Sequence, residues 1–191
     1  MSKILISGYY GFANAGDEAM LTAIIESLRQ VEKNVELTVL SGNPEDTAAK
    51  HQVCSVYRFN PLGIIRAMKD SELIISGGGS LLQDVTSKRS LLYYLSIIGL
   101  GKFFGKKVML FAQGIGPIRA KWARKLTSLV CNEADLITVR DSESAAELIE
   151  MGVKPEKITA TADSVLSLNP VTKECGQYLL QEIGRASCRE R

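Results

Sequence analysis

Short apolar runs that end in glycine or polar residues alternate along the chain with stretches whose apolar residues recur at helical spacing. Residues 3–7 form a β-branched and leucine run that stops at Gly8, the pattern of a buried parallel strand feeding a glycine turn. A loop rich in glycine and polar residues leads to Asp17, which stands where a helix cap is expected. Beyond it Met20, Ala23, Ile24, Leu28 and Val31 line one helical face. Further strands are predicted at 35–40, running into Ser41-Gly42-Asn43-Pro44, and at 73–76, running into Gly77-Gly78-Gly79. Others are predicted at 108–112 before Gln113-Gly114-Ile115-Gly116-Pro117, at 136–139 before Arg140-Asp141-Ser142, and near 158–162 before Asp163. Helical segments fill the intervals, so the fold class is α/β, a Rossmann-like doubly wound parallel sheet. Ligands bind such sheets outside the carboxyl ends of the strands, which places nearly every unusual residue on one rim.

The chain has 191 residues, 46% hydrophobic and 23% charged, which suits one globular domain with a core of its own. Residues 1–168 are expected to form that domain and 169–182, more polar, the start of a connection to something further. The last nine residues, Ile183 to Arg191, resemble a translated sequencing adapter and are expected to be an artefact, so that the natural chain would continue differently after Glu182. Without Arg185, Arg189, Arg191 and Glu190 the formal charge of +2 becomes 20 basic against 20 acidic residues, so the apparent basicity comes from the tail. With no basic stripe, nucleic acid is not an expected partner.

The N-terminus reaches glycine too early for a signal peptide, and a cytoplasmic protein is expected. The longest apolar stretch, 91–104, is interrupted by Ser96, Gly99, Gly101 and Lys102 and reads as a buried helix, not as a membrane span. Cys54, Cys131, Cys175 and Cys188 form no CxxC pair, and the lone His51, expected in a polar loop three residues before Cys54, has no partner at zinc-ligand spacing. No metal or cofactor is expected.

Several strand ends carry candidate chemistry. Gly8, Gly11 and Gly16 allow backbone amides to approach an anion before a helix N-terminus, although the same loop also fits a plain glycine turn with Asp17 as a cap. It is not the dinucleotide fingerprint, Ser41-Gly42 stands where a ribose-binding carboxylate would end the second strand, and no GK[ST] follows a glycine loop. Gly77, Gly78 and Gly79 before Ser80 imply close approach of backbone to a ligand. Gln83 and Asp84 follow where they could hydrogen-bond a sugar, unless Asp84 only caps or solvates a helix. Gln113, Gly114 and Gly116 repeat the pattern. Arg140, beside Ser142, offers a fork for a carboxylate or phosphate, or a structural pair with Asp141 or Asp163. Asp163 could orient Arg140 or act on a hydroxyl proton.

In this order, the segments Gly8 to Ala19 (GYYGFANAGDEA), Ser76 to Asp84 (SGGGSLLQD), Ala112 to Pro117 (AQGIGP), Val139 to Ser142 (VRDS) and Thr161 to Asp163 (TAD) resemble the successive motifs of polysaccharide pyruvyl transferases, nearest to the CsaB branch. The resemblance spans the chain up to about Glu182. It implies the N-terminal half of a two-domain GT-B-type enzyme that transfers the enolpyruvyl unit of phosphoenolpyruvate to a sugar as a ketal. The implied acceptor is N-acetylmannosamine of a lipid-linked cell-wall polymer precursor, met at the inner face of the membrane. Protonation of the enol carbon, hydroxyl attack and phosphate departure need an acid, a base and anion-holding groups. Asp17, Glu18, Asp84 and Asp163 are the candidate acid–base residues. Glycine-loop amides and Arg140 would hold donor oxygens, and Asn14, Asp17, Glu18, Gln83 and Asp84 the acceptor. A histidine and further basic residues are expected from a C-terminal half absent here, so this chain by itself is expected to be inactive. A nucleotide-sugar glycosyltransferase of the same architecture, or a non-catalytic module binding a glycan or phosphorylated ligand, are the competing readings.

Overall fold

The computed structural model describes residues 2–85 and 87–169 together with Gln177. The elements run β1 (Lys3–Tyr10), α1 (Ala15–Val31), β2 (Glu36–Ser41), α2 (Pro44–His51), β3 (Cys54–Tyr57), α3 (Pro61–Asp70), β4 (Leu73–Gly77), α4 (Lys88–Phe103), β5 (Lys107–Gln113), α5 (Lys121–Glu133), β6 (Leu136–Val139), α6 (Ser142–Glu150) and β7 (Ile158–Ala160). Short 3-10 turns cover Pro155–Lys157 and Ser164–Ser167. Apart from Asn169 and Gln177, the predicted connection and tail lie outside the described residues.

The seven strands form one sheet in the order β3-β2-β1-β4-β5-β6-β7, and every pairing is parallel. Parallel neighbours require crossovers over a face, and here both faces receive helices. Successive residues of the central strands therefore serve opposite cores. Leu5, Leu40 and Ile74 pack with Met68, Leu91, Ile98, Cys131 and Leu148 from α3 to α6. Ile4, Ile6, Leu37, Val39 and Ile75 pack with Leu21, Ile24 and Ile25 of α1. This is the predicted Rossmann-like, doubly wound α/β fold.

The chain moves outward from β1 to β3, returns to β4 beside β1, and then moves outward the other way. The crevice at this reversal is where such sheets bind ligands. Tyr10 stiffens it: its buried hydroxyl donates to the Gly77 carbonyl at 2.5 Å, joining the ends of β1 and β4.

Three local features differ from expectation. β3 was not predicted, because Cys-Ser-Val-Tyr at a sheet edge is only partly buried and carries no apolar run. Asp17 is not the cap of α1. Asn14 is, accepting from the amides of Gly16 at 3.0 Å and Asp17 at 3.4 Å, because the helix begins at Ala15. His51 ends α2 instead of lying in a loop, and its Nε2 stands 3.4 Å from Glu18. The apolar stretch predicted as a buried helix is α4, with Leu91, Tyr94, Leu95, Ile97 and Ile98 inside. Among the described residues no helix is long and apolar enough to cross a membrane. Cys131 is buried, which pushes its thiol up to about 12, and Cys54 is exposed and free.

Candidate functional site

A cleft of about 350 Å³ opens at the carboxyl ends of β1 and β4, lined by Tyr9, Asn14, Asp17, Ser80, Leu81, Gln83, Ser90 and Tyr94. Four of these, Asn14, Asp17, Ser80 and Gln83, are predicted site residues. Tyr9 comes from β1, Asn14 and Asp17 from the start of α1, and Ser80 to Gln83 from the loop after β4. Ser90 and Tyr94 come from α4.

Backbone conformation brings these loops together. Gly11 has φ +78°, and a Cβ there would stand 2.1 Å from Ser41 Oγ and 2.5 Å from the Asn43 amide, so no side chain fits where the loop crosses the end of β2. Gly78 and Gly79 also have positive φ, 83° and 66°, and a Cβ on Gly79 would meet Asp17 Oδ1 at 3.0 Å. The glycine run thus lets the β4 loop pass directly beneath the Asp17 carboxylate. Asp17 is half-buried. Burial, and then the charge of Glu18, raise its carboxyl above the ordinary range.

The loops after β4 and β5 are laced together. Gly114 N donates to Gly79 O at 3.1 Å and Gly116 N to Leu82 O at 3.1 Å. Gln113 is fully buried. Its amide donates to Gly79 O at 2.9 Å and lies 3.4 Å from both Gly78 O and Ser76 Oγ, so its polar groups hold the glycine run in place. Ala112, at φ +46°, lies at the irregularity in the pairing of β5 with β6 between Leu110 and Gln113. Gly114 and Gly116 serve close approach: added Cβ atoms would fall 2.7 Å from Arg140 Cζ and 2.7 Å from Gln83 Cβ.

Arg140 projects from the end of β6 into a polar bracket. Its Nη2 donates to Ser80 Oγ at 3.2 Å, Nε pairs with Asp141 at 3.3 Å and Nη1 lies 3.7 Å from Asp163. The structural pairings considered from sequence are thus both made, and the guanidinium still reaches the cleft wall through Ser80. Asp141 meanwhile caps α6 by accepting from Ser144 N at 2.6 Å, a bond that, with the charge of Arg140, holds its carboxyl below the ordinary range. Ser142 is exposed at the first position of that helix.

The other candidate carboxylates are engaged elsewhere. Glu18 accepts from Gly11 N at 2.8 Å and faces His51. Asp84 accepts from Ala120 N at 2.8 Å and from Arg119 N at 3.0 Å. These two bonds depress its carboxyl and tie the loop after β4 to the residues leading into α5, whose N-cap Ala120 has no capping side chain. Gly16 lies in the first turn of α1 and Gly77 ends β4. Sequence reasoning missed Tyr9, Leu81, Ser90 and Tyr94. Tyr9 stood inside a quoted motif, whereas Ser90 and Tyr94 gave no signal because they belong to a helix read only as core. Among the described residues no group of His, Cys, Asp and Glu is arranged to hold a metal ion.

Comparison with solved structures shows the fold in other proteins. Anabaena HepE in complex with UDP-glucose superposes with a TM-score of 0.63 at 13% identity, covering 96% of this chain and 50% of that one. The UDP-bound MnaA of S. aureus gives 0.51 at 15% identity, covering 93% and 51%. The UDP-GlcNAc 2-epimerase of Neisseria meningitidis bound to UDP-GlcNAc gives 0.52 at 12%, covering 86% and 47%. The chain therefore spans about half the length of these structures, and corresponds to one Rossmann-like half of a GT-B-type architecture. No curated protein sequence matches it. The polysaccharide pyruvyl transferase family matches residues 14–176, from the cap of α1 past the last described turn, and the chain belongs to that family.

Proposed function

We propose that this chain supplies one wall of the active site of an enzyme that transfers the enolpyruvyl unit of phosphoenolpyruvate to two hydroxyls of a sugar, forming a ketal. The acceptor on this reading is an N-acetylmannosamine unit of a lipid-linked cell-wall precursor, met at the cytoplasmic face of the membrane. The observation that carries the reading, beside the family, is the rim cleft in which the half-buried Asp17 carboxyl, raised above the ordinary range, stands over the glycine run while Arg140 is bonded to the cleft wall at Ser80.

The reaction adds a proton to the enol carbon and a sugar hydroxyl to the oxocarbenium-like centre, after which phosphate leaves and the second hydroxyl closes the ring. The two hydroxyl protons balance the new methyl group and the departing phosphate. Asp17 suits the proton transfer because its raised carboxyl keeps a protonated form available at higher pH than an exposed aspartate does. Arg140 suits the donor's phosphate or carboxylate, and Asn14 and Gln83 the sugar hydroxyls. The remaining donor-binding groups would come from a second domain. That fits a chain half as long as its structural neighbours, and this half alone is then expected to be inactive.

The test is release of inorganic phosphate from phosphoenolpyruvate by the two-domain protein, with and without a lipid-linked aminosugar. Acceptor-dependent release is expected. Absence of release, with turnover of a UDP-sugar of the kind present in the neighbouring structures, would replace this reading with nucleotide-sugar transfer.

A further inference from the structure

Arg58, between the end of β3 and the start of α3, is only 4% exposed, yet no carboxylate of the described residues pairs with it. Its backbone amide is fixed to Ser41 O at 2.9 Å. Its guanidinium carbon lies 4.4 to 5.8 Å from the ring centres of Tyr93, Phe59, Tyr94, Phe12 and Tyr9. Its one side-chain hydrogen bond runs from Nη2 to Tyr94 Oη at 3.3 Å, and Nε and Nη1 have no partner among the described residues. The Tyr93 hydroxyl sits beside the guanidinium without meeting it in hydrogen-bond geometry.

Aromatic faces attract a cation, but they take up its N–H groups far more weakly than an oxygen acceptor does. A permanently charged guanidinium buried with most of its donors unused is costly unless an anion arrives. Two of the surrounding rings, Tyr9 and Tyr94, also line the cleft. Tyr9 is stacked on Phe12 at 4.4 Å, and these two rings are 40% and 42% exposed, so the covering on that side is a surface pair and not core.

We propose that Arg58 is an anion-binding residue of the cleft, taking a phosphate oxyanion whose entry moves the Tyr9–Phe12 pair aside. This rests on the cleft being the ligand site and not on pyruvyl transfer itself. The phosphate belongs either to phosphoenolpyruvate or to the diphosphate of a lipid-linked acceptor; Arg58 follows β3 and Arg140 follows β6, strands on opposite sides of the β1–β4 pair in the sheet order.

The experiment is thermal unfolding of the full chain at constant ionic strength with inorganic pyrophosphate or phosphoenolpyruvate as the probe. The unfolding midpoint is expected to rise with at least one of them. Arg58→Met should abolish that rise. Arg58→Lys, which keeps the charge on the rings but loses the fork of donors, should weaken apparent binding about tenfold. If the methionine variant does not fold, the lysine variant decides. A rise with pyrophosphate alone assigns the anion to the acceptor, and a rise with phosphoenolpyruvate alone assigns it to the donor. No rise in the unsubstituted chain, or an equal rise in the variants, overturns the proposal. Loss of acceptor-dependent phosphate release with the anion effect intact would sink pyruvyl transfer and leave Arg58 standing.

Discussion

At the start of α1, Asp17 carries a carboxyl raised first by burial and then by its neighbour Glu18, and it is the only one of the four candidate carboxylates that lines the cleft. If it donates the proton, activity needs its protonated form. The rate then falls as pH rises through its pKa, and that basic limb lies above the ordinary carboxylate range. Asp17→Asn is expected to lower kcat by about 10²- to 10⁴-fold with little change in KM and to remove the limb. A variant within tenfold of the unsubstituted enzyme would end the assignment. The candidate carboxylates were legible from sequence because each followed a predicted strand. Their division of labour was not, since it depends on partners far away in the chain: backbone amides 35 and 36 residues on for Asp84, and a guanidinium for Asp163. Arg58 gave no sequence signal at all, because five rings from three segments of chain surround it only after folding.

Between elements, Asp84 ties the loop after β4 to the entry of α5 through the amides of Arg119 and Ala120. Its carboxyl is held below the ordinary range by the Ala120 and Arg119 amides. A depressed carboxyl stabilises the fold fully above its unfolded pKa, and that contribution is lost as pH falls through the folded value. The thermal midpoint should therefore drop as pH falls below the ordinary aspartate range. Asp84→Asn should unfold at lower temperature at neutral pH and show a shallower acid dependence. An unchanged acid profile would mean that Asp84 does not hold α5. Helical and strand periodicity gave six of the seven strands of the described residues, in their order along the chain. The cap of α1 and the strand β3 were missed for local reasons: Asn14 caps a helix that starts earlier than its apolar face suggests, and β3 is a short, half-buried edge.

Across the whole molecule the sheet separates two cores, and Leu5 on β1 is fully buried in the larger one. Leu5→Ala should cost about 2–5 kcal/mol of unfolding free energy, measured by denaturant titration, because neighbours on a parallel sheet relax only partly into the cavity. A loss below about 1 kcal/mol would mean that the α3–α6 face is loosely packed. The alternation of apolar strands with helices was enough to determine the parallel α/β class and the rim on which its unusual residues gather, because burial on both faces and right-handed crossovers leave few alternatives. The ordered motifs pointed to the family from the same string. Only the tertiary structure decided which rim residues meet. It put Asp17 over Gly79, buried Gln113 as a clamp, fixed Asp84 to α5 and closed aromatic rings around Arg58. Those contacts join residues distant in the chain, and their distances follow from strand order and loop conformation, which periodicity and residue type do not encode.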